Sequence, residues 1–232
     1  MRRIAVIPAG GQGKRFGCDV PKQYQLVRGR ELIAYTLEVF QKSDSIDEIV
    51  VAAQPEYFET IGKLAEKYQL TKLKNIVNGG KERQDSVFNA ITSITASKED
   101  LIAVHDAARP LLSQSILTEA IKQAEEFHSV LVCISARDTL LKGEKALTGE
   151  EFVSSFLDRR DVFYAQTPQV FKYHILRRAL EDAYKENFYG TDESMLVTRA
   201  GFKVKIVEGS LLNFKVTTRP DFELFEKLSQ VL

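Results

Sequence analysis

The residues best suited to chemistry stand near the start of the chain, in Pro8-Ala9-Gly10-Gly11-Gln12-Gly13-Lys14-Arg15-Phe16, directly after the apolar run Ile4 to Ile7. Three glycines let a backbone approach a ligand closely and aim its N–H groups at phosphate oxygens. Lys14, Arg15 and Lys22 add cationic side chains to the same loop. The combination suits a polyphosphate; the plainer reading is a tight turn whose charges are solvated. Two better-known phosphate loops are excluded. Phe16 stands where a dinucleotide-binding loop has its third glycine, and no Ser or Thr follows Lys14 as a Walker loop requires.

Asp106 follows a second apolar run, Leu101 to Val104, at the kind of strand end where open parallel sheets place their ligands. A carboxylate there suits a hard cation such as magnesium, which takes oxygen ligands, or serves as a turn residue. Gly79-Gly80 follows a third run, Asn75 to Val77, and Ser86 opens the amphipathic stretch after it, which reads as a strand-to-helix turn. His105, His128 and His174 show no metal spacing. His128 and His174 read as helix-surface residues and His105 as a packing residue. Cys18 and Cys133 are far apart and suggest neither a metal site nor a disulfide framework, so a reducing cytoplasm is the expected compartment.

The elements that must position these residues alternate along the chain. Ile4 to Ile7, Ile49 to Ala53, Asn75 to Val77, Leu101 to Val104 and Val130 to Ile134 are short apolar runs without polar alternation. Between them Leu32 to Phe40, Phe58 to Tyr68, Val87 to Ile94 and Ile116 to Ala124 repeat apolar residues at helical spacing. That order predicts an α/β fold with a mostly parallel sheet and helices on both faces. The pattern breaks at Arg137 to Tyr164, where a Lys142-Gly143-Glu144 turn and scattered apolar residues predict a β-hairpin arm. Such an arm cannot bury its apolar side alone, so a homodimer is expected through residues 137–164. Beyond it, Ile175 to Leu180 predicts a helix, Thr191 an N-cap, Lys203 to Val207 and Asn213 to Val216 two strands, and Thr218-Arg219-Pro220-Asp221 the start of a last helix. The length of 232 residues fits a single domain, 1–232. Lys plus Arg and Asp plus Glu each number 32, and this zero net charge argues against a nucleic-acid binder. No run approaches the roughly 18 apolar residues of a membrane span, and no secretory leader is evident.

With Pro21-Lys22-Gln23-Tyr24 closing it, the glycine loop is similar to that of nucleotidyltransferases, and more specifically resembles the methylerythritol phosphate cytidylyltransferase family. Six further stretches match in the family's order: Gly79 to Val87, His105 to Pro110, Arg137-Asp138-Thr139, Gln166 to Gln169, Thr191-Asp192-Glu193 and Asn213 to Thr217. The resemblance covers nearly the whole chain. It departs at Gly10, where alanine is common, and between Lys142 and Val153, which match no firm pattern.

The resemblance implies a Rossmann-like nucleotidyltransferase fold and transfer of CMP from CTP to 2-C-methyl-D-erythritol 4-phosphate, in isoprenoid precursor synthesis. It assigns Ala9, Gly10, Gly11, Gly13, Lys22, Gly79, Gly80 and Ser86 to CTP. Asp106, Arg109, Thr139, Arg159, Thr167 and Lys215 fall to the polyol phosphate, and Asp106 also to magnesium. Arg15 and Lys22 match transition-state stabilisers, Lys215 a residue positioning the nucleophile, and Arg159 a residue reaching a partner subunit's site. No general base is needed, because a phosphate monoester with a second pKa of about 6 is largely dianionic near neutrality. A ribitol 5-phosphate cytidylyltransferase is the nearest alternative; Ala107-Ala108 and Thr191-Asp192-Glu193 favour the isoprenoid enzyme. A sugar-nucleotide pyrophosphorylase would share the loop but usually lacks the arm. A non-catalytic nucleotide-binding module would have lost some of Arg15, Lys22, Asp106 or Lys215, and all four are present.

Overall fold

The first strand buries both of its faces. Ile4 and Val6 enter one apolar cluster, while Ala5 and Ile7 enter another on the opposite side, as the two-residue period of a strand requires. Ile49, Val51 and Ala53 alternate in the same way with Val50 and Ala52, and Leu101 and Ala103 with Ile102 and Val104. Continuous apolar runs are therefore what a sheet covered by helices on both faces demands.

The computed structural model describes residues 1–11, 20–146 and 148–231. In chain order these form β1 (Arg3–Pro8), β2 (Leu26–Val27), β3 (Arg30–Glu31), α1 (Leu32–Lys42), β4 (Glu48–Ala53), α2 (Phe58–Lys67), β5 (Leu73–Asn78), α3 (Arg83–Thr92), β6 (Leu101–Val104), α4 (Gln114–Phe127) and β7 (Ser129–Ser135). There follow β8 (Leu140–Lys145), β9 (Glu151–Leu157), β10 (Phe163–Lys172), α5 (Tyr173–Lys185), α6 (Glu193–Arg199), β11 (Lys205–Glu208) and α7 (Arg219–Leu228). A seven-stranded sheet runs β11-β7-β10-β6-β1-β4-β5. Its pairings are parallel except around β10, which is antiparallel to both β6 and β7. Residues of α1, α2 and α4 join the cluster on one face, and those of α3, α5 and α6 the other. A satellite cluster of Val27, Leu32, Ala108, Val216 and Phe225 seats α7 beside the end of β6.

The predicted α/β class and mostly parallel sheet hold. Five local readings are corrected. β10 was not foreseen, because Gln166, Pro168 and Gln169 interrupt its apolar pattern and its pairing with β7 shifts register between Ala165 and Gln169. Tyr164, expected in the arm, belongs to it and pairs with Ile134. Asn213 to Val216 is irregular rather than a strand, its backbone bonding instead to the segment after β6: the Val216 N–H donates to Ala108 O at 2.8 Å, and Asn213 O accepts from Arg109 at 2.7 Å. The N-cap of α6 is Asp192, not Thr191, with its carboxylate accepting from Met195 N at 2.9 Å. His128 is the left-handed C-cap of α4, with φ 69°, and not a helix-surface residue.

Among the described residues β8 and β9 pair only with each other, as an antiparallel hairpin. All of β9 is exposed, including Phe152 and Phe156.

Candidate active site

The carboxyl ends of β1, β5 and β6 open into one cleft of about 260 Å³. On the first side, Pro8 to Gly11 leave β1 as a turn whose carbonyls are tied down. Buried Gln23 donates its amide to Ala9 O at 2.7 Å and Gly11 O at 2.9 Å, and Gln54 donates to Gly10 O at 3.1 Å. With these oxygens turned to side-chain amides, the turn does not confront an anion with its own acceptors.

On the second side, Gly79 and Gly80 lead from β5 into α3. A Cβ on Gly79 would lie 3.2 Å from Gly10 Cα, and one on Gly80 only 2.0 Å from Asp85 Cβ, so the two turns approach each other and α3 as only glycine allows. Gly80 N–H donates to Ser86 Oγ at 3.0 Å, and that hydroxyl donates to Glu82 O. Glu82 and Asp85 form a capping box on α3.

The third side is charged. Asp106, 6% exposed, accepts from Arg83 Nε on Oδ1 at 3.0 Å, and on Oδ2 from Arg109 Nε at 3.2 Å and Lys215 Nζ at 3.0 Å. Burial works against ionisation, but Arg83, Lys215 and Arg109 hold this carboxyl well below the usual carboxylate range. Arg83 also rests on both oxygens of Glu193, at 2.6 and 2.7 Å. Three cations against two carboxylates leave one net positive charge, which suits an anionic ligand.

Behind Asp106 a neutral network fixes its backbone. His105 Nε2 meets Arg109 O at 3.0 Å, so that nitrogen carries the proton; Nδ1 then accepts from the Thr167 hydroxyl at 2.9 Å. Thr167 Oγ1 in turn accepts from Asp106 N at 3.2 Å. Burial lowers the His105 pKa to about 4, which keeps the ring neutral and consistent with this assignment. His105 is thus a fully buried, hydrogen-bonded residue packed beside the cleft, as the sequence suggested.

Of the residues singled out by sequence, Ala9, Gly10, Gly11, Lys22, Gly80, Ser86, Asp106 and Lys215 line the cleft. Gly79 backs it against Gly10, while Arg109 and Thr167 stand bonded to Asp106. Thr139 and Arg159 do not line it. Both are exposed near the arm, and Arg159 donates to Arg137 O at 2.7 Å. Gly13 and Arg15 lie outside the described residues. Gln23, Arg83, Glu193 and Asn213 went unassigned in the sequence. Each stands inside a matched stretch, which was the signal available, but their partners are remote in sequence.

Backbone turns on one side of a cleft and fixed cations on the other can hold a nucleoside triphosphate against a second anion, and the class is that of the nucleotidyltransferases. A sequence model described as 2-C-methyl-D-erythritol 4-phosphate cytidylyltransferase matches residues 3–229, and the chain belongs to that family. The protein of that name from Geotalea uraniireducens is 39% identical over 97% of this chain and 96% of its own length. Its counterpart from Geobacter metallireducens is 40% identical over 97% of both. The crystal structure of the Francisella tularensis 2-C-methyl-D-erythritol 4-phosphate cytidylyltransferase superposes with a TM-score of 0.81 at 29% identity, covering 98% of this chain and 99% of the other.

Proposed function

We propose that the chain transfers CMP from CTP to 2-C-methyl-D-erythritol 4-phosphate, releasing pyrophosphate. A phosphate oxygen of the acceptor attacks the α-phosphorus of CTP; the new P–O bond forms as the bond to the β-phosphate breaks and carries its electrons away with pyrophosphate. The observation that carries the reading is the meeting of Lys22 and Lys215 in one cleft with Arg83 and the Asp106 cluster. Charge that develops on phosphate oxygens is stabilised by cations already in place, which avoids reorganisation during reaction. The Gly10 and Gly80 turns receive the nucleotide, with Ser86 holding the second turn. Lys215, Arg109 and Asp106 form the acceptor end, backed by Thr167. Lys22 and Arg15 stabilise the transferring phosphoryl group.

Magnesium fits this donor set as an ion carried by the triphosphate. Asp106 offers about four acceptor positions, of which Arg83, Arg109 and Lys215 occupy three. Among the described residues no group of three acidic, histidine or cysteine ligands exists to form a separate metal cage. Phosphate oxygens and water supply most ligands to magnesium in such sites. Bound there, the ion neutralises charge on the phosphates.

The chain acts as a homodimer. The exposed apolar residues of β8 and β9 support this, and Thr139 and Arg159, which do not line their own cleft, then complete the partner's acceptor end. Among the described residues no helix is long and apolar enough to cross a membrane. Pyrophosphate release from CTP, measured with a panel of polyol phosphates, tests the proposal. Release with methylerythritol phosphate is expected; release only with ribitol 5-phosphate, or with none, overturns it.

A further inference from the structure

Glu193 is one of the most deeply buried carboxylates in the described chain, at 1% exposure, and it does not line the cleft. Both of its oxygens rest on one nitrogen of Arg83, whose Nε is bonded to Asp106. Burial lifts the Glu193 carboxyl above its ordinary value, and the guanidinium opposes that rise.

Glu193 is itself held. It is the first residue of α6, whose cap Asp192 accepts from Gln169 Nε2 at 3.0 Å, while Ser194 N–H donates to Gln169 Oε1 at 2.8 Å. Gln169 belongs to β10, the strand beside β6. A rigid chain therefore runs from β10 through the start of α6 to Arg83 and ends on Asp106, the carboxylate on which Arg109 and Lys215 also meet.

We propose that Glu193 and Arg83 are positioning residues: together they fix the orientation of Asp106 and so set the spacing of Lys215 and Arg109 at the acceptor end of the cleft. Nε of Arg83 occupies Oδ1 of Asp106 and leaves Oδ2 to the other two cations. Losing the Glu193 charge frees the planar Arg83 fork to take both Asp106 oxygens, displacing Lys215. The inference rests on the proposed function, which places the polyol phosphate at this end and the nucleotide at the glycine turns. The effect therefore falls on one substrate and not the other.

The test uses full-length Glu193→Gln, Arg83→Gln and the double variant, with kcat and KM for each substrate, CTP binding by calorimetry, and thermal melting. Glu193→Gln is expected to raise KM for the polyol phosphate about tenfold, the size of coupling seen between residues of one hydrogen-bond network, with KM for CTP changed less than about twofold. In the Arg83→Gln background the Glu193 change adds no further loss. A folded Glu193→Gln protein with unchanged acceptor KM overturns the proposal. So does a loss that strikes both substrates equally and follows the drop in Tm, which is what a merely structural ion pair gives. Should Glu193→Gln fail to fold, the double variant carries the same test, since removing both charges leaves neither buried without a counterion. An inactive wild-type chain would sink the proposed function instead, whereas active wild type with unaffected variants sinks only this inference.

Discussion

At the scale of single residues, the cations of the cleft differ in what balances them. Lys215, Arg83 and Arg109 rest on Asp106, so part of their charge is already compensated. Lys22 lies near another carboxylate, Asp221, which burial pushes up while the bonds from Thr218 and Thr217 and the charge of Lys22 bring it below its ordinary value. A ligand phosphate at the loop side of the cleft gains most from Lys22 when charge grows during transfer. Lys22→Ala is therefore expected to lower kcat about 10²- to 10³-fold, the usual cost of removing one donor to a developing oxyanion, while CTP binding weakens less than tenfold. Turnover at saturating substrates against calorimetric binding of CTP checks this, and an unchanged rate defeats the assignment. What was legible at this scale from residue type was Gly10, Gly11, Gly79, Gly80, Lys22 and Asp106, with Lys215 legible only through the family resemblance; the structure brings all of them to one cleft. Glu193 and Arg83 were not, because an ion pair spanning residues 83 and 193 has no period or spacing in the chain. Glu193 reads from sequence as an ordinary acidic residue in a helix's first turn, a role that says nothing of its burial.

At the scale of elements, the sequence was readable wherever local physics decided the outcome. β1, β4 and β6 were, because a strand buried on both faces must be apolar throughout. So was α7, where Thr218 and Asp221 cap each other's backbone and Pro220 sits in the first turn. β10 was not, since its polar Gln166 and Gln169 serve contacts outside the ladder: Gln166 bonds the Ser210 and Asn213 segment, and Gln169 the start of α6. Asn213 to Val216 misled in the opposite way, with a strand-like pattern whose bonds go to a neighbouring loop. The turn between β5 and α3 allows a quantitative test. A methyl group on Gly80 would overlap Asp85, whose carboxylate caps α3 and accepts from Tyr184 at 2.6 Å, so neither side can yield cheaply. Overpacking of this kind costs about 1–3 kcal/mol, and each kcal/mol shifts Tm by about 2–4 °C in a chain of this size. Gly80→Ala is expected to melt about 2–12 °C lower and to bind CTP more weakly, because its amide no longer meets Ser86 as now. Calorimetric melting and CTP titration read both effects; a Tm equal to wild type shows that the turn yields.

At the scale of the whole molecule, the arm and the cleft pose one problem. Phe156 is 69% exposed and Phe152 57%, on a two-stranded hairpin paired with nothing else among the described residues. An isolated hairpin is marginally stable in water, and apolar residues of this size call for a covering surface. Arg159 and Thr139, which the proposed function gives to the acceptor end, flank that same hairpin and do not line their own cleft. A two-fold pairing of arms answers both needs, because an isologous contact gives each subunit what it gives the other. The arrangement has an arithmetic consequence. When Arg159→Ala and Lys22→Ala subunits are exchanged at equal concentration, about half the dimers are mixed. If Arg159 acts in the partner's site, the Arg159→Ala subunit of a mixed dimer keeps its own Lys22 and receives an intact Arg159, so one of its two sites works. Two nearly inactive preparations should then recover about a quarter of wild-type activity on mixing. If Arg159 served its own cleft, every site in the mixed dimer would carry one defect and nothing would return. Distinct affinity tags allow the mixed dimer to be isolated before assay, so that its rate is read directly. A mixed dimer as inactive as its parents would return Arg159 to its own subunit and leave the exposed arm with no catalytic reason to pair.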